Sequence, residues 1–313
     1  MNIKEKEVMI QGKFKIGATV TYTNENKKSP AVVIIMGTGK LNRDGNGGMF
    51  QSNIYKDLAH IFAKQGCVAV RYDKRGTHRT EGSFAKTGLH DLVDDAKSVV
   101  QYMKNLPYVD ENKVIVCGHS EGTMIATLLS EKEETAGLIL LGGAGLSLKD
   151  ALCYQNKLVA EDVQHKKGLS GTILRKSFKL EKQLAMLDDM FKKSTETDKT
   201  YVFVKGTIYP AKWLREHGLY TAEDYASKLK KYGRPVLALT GTADIQADYH
   251  KLDVLGGAAH IRCYAPKNVN HILREIDDDN NILNVSKQYS RLLKQPINDG
   301  LIKITCEWLR PFI

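Results

Sequence analysis

Val114-Ile115-Val116-Cys117-Gly118-His119-Ser120-Glu121-Gly122-Thr123 is the stretch that decides how this chain is read. Four apolar residues run into G-x-S-x-G, and residues 123–130 (TMIATLLS) continue with a helix-like apolar pattern. Strand, G-x-S-x-G, helix is the context in which a serine is held on a strained turn with its hydroxyl exposed. The chain reverses sharply on either side of that serine. Only residues without a Cβ fit there, the role expected of Gly118 and Gly122. In a chain with 26 glycines the five-residue pattern arises by chance about 0.1 times. The flanking strand and helix separate it from coincidence.

Upstream, strand and helix patterns alternate. Residues 18–23 (ATVTYT) read as a strand, and residues 31–36 (AVVIIM) as a strand buried on both faces. A Gly-rich loop, residues 37–48, follows. Residues 54–64 have helical apolar spacing, residues 67–72 (CVAVRY) are a buried strand, and residues 89–103 are an amphipathic helix. Downstream, residues 138–141 (LILL) form another strand. Residues 235–240 (PVLALT) and 261–264 read as strands, and residues 281–293 and 297–308 as helices. In the last, Ile297, Leu301, Ile304 and Trp308 share a face. Alternation of this kind predicts an α/β fold, a mostly parallel central sheet flanked by helices. Its site is expected at the carboxyl ends of the strands. Between residues 149 and 233 the pattern changes to long, charged, helix-compatible stretches. The predicted organisation is a core of residues 1–148 and 234–313 with a helical cap insertion at 149–233.

The composition is that of an ordinary globular protein, 42% hydrophobic and 26% charged. No stretch reaches the length of a membrane span. Residues 1–15 lack an apolar segment, so a secretory leader is not expected. The five cysteines are scattered, with no C-x-x-C pair, so neither a disulfide framework nor a metal cluster is expected, and a reducing cytoplasm fits them best. The net charge of +10 raises nucleic acid as a partner, but no zinc-ligand spacing, RNA-binding aromatic signature or basic arm accompanies it. Residues 149–235 hold 18 Lys and Arg against 11 Asp and Glu, so seven of the ten net charges sit there. They read chiefly as a solvated helical surface, and otherwise as attraction for an anionic substrate.

A serine hydroxyl is a weak nucleophile and needs a base, itself oriented by an acid. His271, in the loop after the last strand, and Asp244, in the loop after residues 235–240, fit by position and by the order Ser, Asp, His. Asp248 and Asp253 are nearby rivals for the acid, with Asp248 at the start of a helix. His250 shares that helix, and His260 stands at the entry of a strand, the wrong end. His78 and His119 are close in sequence to site loops. For the oxyanion, the expected donors are the backbone N–H of Glu121, at a helix N-terminus, and that of Thr38, in the loop after residues 31–36. Asp73 and Arg75 read as a structural ion-pair network beside the site.

These stretches together resemble the α/β-hydrolase superfamily, in particular bacterial serine hydrolases of the carboxylesterase and serine-aminopeptidase-like (S33) group. The resemblance is carried by residues 36–45 (MGTGKLNRDG), 72–77 (YDKRGT), 118–122 (GHSEG), 241–244 (GTAD) and 270–271 (NH). It implies the α/β-hydrolase fold, a Ser120–Asp244–His271 triad, a helical cap, and no cofactor or metal. The family usually has His-Gly where this chain has Met36-Gly37, and Gly-x-Gly-x-Ser where it has Gly76-Thr77-His78-Arg79-Thr80. The expected activity is hydrolysis of a small or medium acyl ester. Leu152, Phe178, Met186, Met190, Phe191 and Trp213 are candidates for the acyl pocket. An aminopeptidase would need an acid for the substrate amine, for which Glu161, Asp162, Asp188 and Asp189 are candidates. An acyl-CoA thioesterase could use the basic insertion. A ligand-binding homologue without turnover is the reading from outside enzymology. The expected partner is a small-molecule ester, with neither nucleic acid nor membrane, and a homo-oligomer is left open.

Overall fold

The computed structural model describes residues 2–277 and 280–313, so residues 1, 278 and 279 of the expected core lie outside the described residues. In chain order the first half comprises β1 (Lys4–Gln11), β2 (Lys15–Tyr22), β3 (Ser29–Ile35), the short ribbon β4 (Asn46–Gly47) and β5 (Phe50–Gln51), α1 (Ile54–Lys64), β6 (Val68–Tyr72), α2 (Leu89–Lys104), β7 (Val109–His119), α3 (Glu121–Leu129) and β8 (Gly137–Leu141). The segment that follows holds α4 (Leu148–His165), α5 (Gly168–Ser177), α6 (Leu180–Thr195), the hairpin β9 (Tyr201–Val204) and β10 (Thr207–Pro210), α7 (Ala211–His217) and α8 (Ala222–Tyr232). The chain then returns as β11 (Val236–Leu239), β12 (Ile261–Tyr264), α9 (Val285–Leu292) and α10 (Asp299–Leu309).

Eight strands form one sheet in the order β1-β2-β6-β3-β7-β8-β11-β12. β1 and β2 pair antiparallel, and β2 is antiparallel to β6, while every pairing from β6 to β12 is parallel. The predicted mostly parallel sheet is therefore present, extended by an antiparallel edge. β1 had no sequence signal. It alternates Lys and Glu at its start and is exposed along most of its length, as suits an edge strand that must not pair with another chain.

The central strands bury both faces, and the period-2 alternation divides their side chains. Ala31, Val33 and Ile35 of β3 join Val114 and Val116 of β7 and Leu138 and Leu140 of β8 in one core, covered by α2, α3 and α8. Val32, Ile34, Ile115, Cys117, Ile139 and Leu141 join the other, covered by α1 and α10. Register aligns the carboxyl ends. Ile35 pairs with Gly118, His119 with Leu141, and Leu141 with Leu239. The loops leaving β3, β7, β8 and β11 therefore open onto one edge.

Residues 201–210, of which 201–204 are too short to assign from sequence, add a strand pair to the expected helical stretches. They form a hairpin in which Val202 and Val204 are buried while Tyr201 and Phe203 are exposed. Four residues are too short a run for alternation to be told from a loop. Residues 281–293 begin as a short 3₁₀ turn (Ile282–Asn284) before α9.

Candidate active site

Ser120 sits between the last residue of β7 and the first of α3, with φ 55° and ψ −122°. That left-handed backbone is unfavourable for a residue with a Cβ and is held here by its neighbours. Its N–H donates to Leu141 O at 2.9 Å, and Thr123 N–H donates to Ser120 O at 2.9 Å. The glycines are required by contact. A Cβ on Gly118 would lie 2.1 Å from Gly122 O, and one on Gly122 would lie 2.2 Å from Ile35 O.

Ser120 Oγ and His271 Nε2 are 3.0 Å apart, and His271 Nδ1 is 2.8 Å from Asp244 Oδ2. Asp244 Oδ1 accepts from the N–H groups of Gln246 (2.8 Å) and Ala247 (2.9 Å), which fix the carboxylate from behind. Because a carboxylate only accepts, His271 Nδ1 carries the proton and leaves Nε2 free to accept from the serine. Gly142, at φ 61°, passes so close that a Cβ would be 3.2 Å from Asp244 Oδ2.

His271 is held by a loop that is itself clamped. Asn270 exchanges hydrogen bonds with the Arg274 backbone, and Arg274 Nη2 reaches Ser52 O (3.1 Å) and Asp57 (3.0 Å). Beneath it, His119 Nε2 is 2.8 Å from His271 O, and His119 Nδ1 is 3.0 Å from Tyr55 Oη. Tyr55 Oη also accepts from Gly37 N–H at 2.8 Å. The carbonyl must accept, so His119 carries its proton on Nε2 and takes one from Tyr55 at Nδ1. Burial, with His271 nearby, pushes the His119 pKa down to about 3, so this ring is neutral.

A cavity of about 330 Å³ opens over Ser120. Gly37, Thr38 and Glu121 line it beside Ser120 and His271. Its apolar wall comes from Leu41, Phe50, Met124 and Leu146, and from Leu148, Leu152 and Trp213 of the segment between β8 and β11. The structure thus gathers Ser120, His271, Asp244, Thr38 and Glu121 at one place. It does not bring the rivals there. Asp248 caps the 3₁₀ turn at Tyr249–Leu255 by accepting from His250 N–H (3.1 Å). Asp253 and His250 are exposed, His260 bonds Leu229 O, and His78 bonds Lys40 O.

Of the six suggested pocket residues, Leu152 and Trp213 line the cavity. Met190 is instead buried in the core that α6 shares with its neighbours, and Met186 and Phe191 pack against that core. The apolar face of α6 is used up by α4, α7 and β9. Phe178 is half-buried at the end of α5.

Sequence reasoning passed over Lys74, Tyr55 and the side chains of Glu121 and His217. Glu121 is buried, with Lys74 Nζ at 2.6 Å, Trp213 Nε1 at 2.5 Å and His217 Nε2 at 3.0 Å. Burial opposes its ionisation, yet the Lys74 charge and the His217 hydrogen bond hold its carboxyl below the usual carboxylate range. Asp73 and Arg75 form the ion pairs expected of them. Asp73 pairs with Arg43 at 3.1 Å, and Arg75 with Asp91 (2.8 Å) and Asp95 (2.6 Å).

The sheet order, the serine turn and the Ser–His–Asp hydrogen-bond chain define an α/β hydrolase. Residues 46–262 match the family described as Serine aminopeptidase, S33, and the chain belongs to that family. Esterase EstD of Thermotoga maritima is 24% identical over 279 residues, which cover 87% of this chain and 60% of that relative. The chain therefore spans less than two thirds of the relative's length. Est1E of Butyrivibrio proteoclasticus, solved with ferulic acid bound, shares the fold with a TM-score of 0.57 at 18% identity, over 93% of this chain and 99% of its own. The Pyrococcus furiosus esterase Pf2001 does so with a TM-score of 0.57 at 12% identity, over 99% of this chain and 93% of its own.

Proposed function

We propose that this protein is a cofactor-free serine hydrolase that cleaves esters of small or medium acyl groups through Ser120, His271 and Asp244. The observation that carries the reading is His271, with Ser120 Oγ 3.0 Å from one ring nitrogen and Asp244 2.8 Å from the other, at the floor of a largely apolar cavity. Ser120 Oγ attacks the ester carbonyl carbon as His271 Nε2 takes its proton. The tetrahedral oxyanion is held by the N–H groups of Glu121 and Thr38. His271 returns the proton to the departing alcohol oxygen and leaves an acyl-Ser120. Water, deprotonated by His271, then releases the acid and regenerates the serine. Residues 149–233 act as a cap on the core of residues 1–148 and 234–313. Their α4 and α7 supply one wall of the acyl pocket, while α8 packs on α3.

The ester reading is favoured over an aminopeptidase by the cavity's carboxylates. Asp162 accepts from Ile282 N–H (2.7 Å), Asp188 pairs with Lys149 (2.6 Å) and Asp189 with Lys193 (2.8 Å). Glu161 is exposed, and none of the four lines the cavity. Glu121 does line it but is already paired with Lys74. Among the described residues around the cavity no unpaired carboxylate faces a substrate ammonium. Two of the relatives, EstD and Pf2001, are named esterases, which points the same way.

A fluorophosphonate probe tests the assignment. The wild-type protein is expected to be labelled and Ser120→Ala to lose labelling, with ester turnover down about 10⁴-fold or more. Labelling that survives the substitution overturns the nucleophile. Across p-nitrophenyl esters, aminoacyl anilides and acyl-CoA thioesters, acetate to octanoate esters are expected to turn over fastest. Anilide or thioester turnover without ester turnover reverses the substrate class.

A further inference from the structure

We propose that Lys74 is a positioning residue for the oxyanion site, one ammonium that fixes both of its peptide donors without touching substrate. The proposal rests on the serine-hydrolase reading above.

Lys74 lies in the loop that leaves β6, between Asp73 and Arg75. Those two neighbours fasten the loop on its outer side. Asp73 accepts from Arg43 N–H (2.7 Å) and pairs with the Arg43 guanidinium, and Arg75 is gripped by Asp91 and Asp95. With its neighbours so held, Lys74 is buried toward the serine turn. Its Nζ donates to Gly37 O at 2.7 Å and to Glu121 Oε2 at 2.6 Å.

Gly37 C=O and Thr38 N–H are the two ends of one planar peptide unit. A bond that fixes the oxygen fixes the direction of the N–H. A cation on the oxygen also polarises the peptide, which strengthens the N–H as a donor. The preceding peptide is pinned as well, since Gly37 N–H donates to Tyr55 Oη at 2.8 Å. The loop passes against the serine so closely that a Cβ on Gly37 would lie 2.9 Å from Ser120 Cβ. The second donor belongs to Glu121. As the first residue of α3, its N–H has no acceptor within the helix. The Glu121 side chain ends on the same Lys74 ammonium, so the two donors, one on the β3 loop and one on α3, are joined through a single atom.

Charge supplies the second half of the argument. A bare carboxylate beside a developing oxyanion would oppose the reaction. Lys74 cancels it. Trp213 and His217 hold the other carboxylate oxygen, Oε1, while Lys74 holds Oε2. Lys74 and Glu121 are thus one cation and one anion in direct contact beside the oxyanion site.

The test compares Lys74→Met/Glu121→Gln, which removes both charges together and avoids a bare buried carboxylate, with wild type. Fluorophosphonate labelling of the wild-type protein comes first, because failure there overturns the serine-hydrolase reading itself. Three quantities are then read: kcat and KM for p-nitrophenyl butyrate, and Ki for a trifluoromethyl ketone, which forms a tetrahedral adduct with the serine. A positioning role predicts a folded variant by circular dichroism, KM within about threefold of wild type, kcat lower by about 10²-fold, and ketone affinity lower by a similar factor. A folded variant that keeps more than a third of the wild-type kcat overturns the proposal. So does a loss of kcat with ketone affinity unchanged. If the double variant melts below the assay temperature, Lys74→Arg carries the same comparison. Its broader head displaces the contact with Gly37 O and is expected to lower kcat and ketone affinity together.

Discussion

At the scale of single residues, the site is a set of tautomer and backbone choices forced by neighbours. His119 shows how much one buried side chain can settle. It is the first variable residue of G-x-S-x-G, and its ring joins Tyr55 to the carbonyl of His271. Its pKa, pushed down to about 3 by burial, compares with 6.5 for an unburied ring. Between those values the unfolded chain binds a proton that the folded chain refuses, so stability falls as the pH falls from 6.5 toward 3. Between pH 7.5 and 5 this one residue is expected to remove about 2 kcal/mol. Urea unfolding of wild type and His119→Gln at the two pH values checks it. The wild type should lose more stability on acidification, and equal losses would exclude His119 as the source. Ser120, Asp244 and His271 were legible as a motif plus chain order. Lys74 was not. A lone lysine in a loop has no periodicity, and its meaning depends on Gly37, which is 37 residues away in sequence and adjacent only in the folded chain.

At the scale of elements, α7 fastens the segment between β8 and β11 to the rest of the fold. Trp213 and His217 reach Glu121, Lys212 pairs with Asp91 at 2.5 Å, and Glu216 accepts from His90 N–H at 2.8 Å. α5 is its opposite. It leaves Leu169 and Ile173 exposed and packs on α4. Trp213 also stands in the wall of a second, apolar cavity of about 120 Å³, lined by Phe84, Leu92 and Pro210 as well as by Thr38 and Glu121. Both cavities share Trp213, so Trp213→Ala is expected to open one into the other. Activity should shift toward acyl chains longer by two or more carbons, with butyrate turnover falling several-fold. An unchanged chain-length profile would show that the second cavity takes no part in acyl binding. The buried strands and flanking helices were readable because their apolar runs are long. The first arm of the β9–β10 hairpin stayed ambiguous because it is only four residues long, and the edge strand β1 gave no signal because it is mostly charged.

At the scale of the whole molecule, two cores lie on the two faces of one sheet, and charge is distributed apart from chemistry. The basic excess of residues 149–235 lies largely on exposed side chains such as Lys167, Lys176 and Lys179, while the charged groups at the site are buried and paired. No helix among the described residues is long and apolar enough to cross a membrane. The strained backbone of Ser120, described above for its geometry, also bears on the stability of the entire fold. A serine at φ 55° and ψ −122° holds a conformation that glycine adopts freely, at a cost of about 1–3 kcal/mol. Alanine and glycine both remove the hydroxyl, but only glycine relaxes the turn. Ser120→Gly should therefore melt about 2 °C above Ser120→Ala, after allowance for the extra freedom glycine has when unfolded. A lower melting point for the glycine variant would mean that the turn is not strained. The difference between these two inactive proteins isolates what the fold gives up in stability so that a side chain, rather than a bare hydrogen, can stand at the apex of that turn.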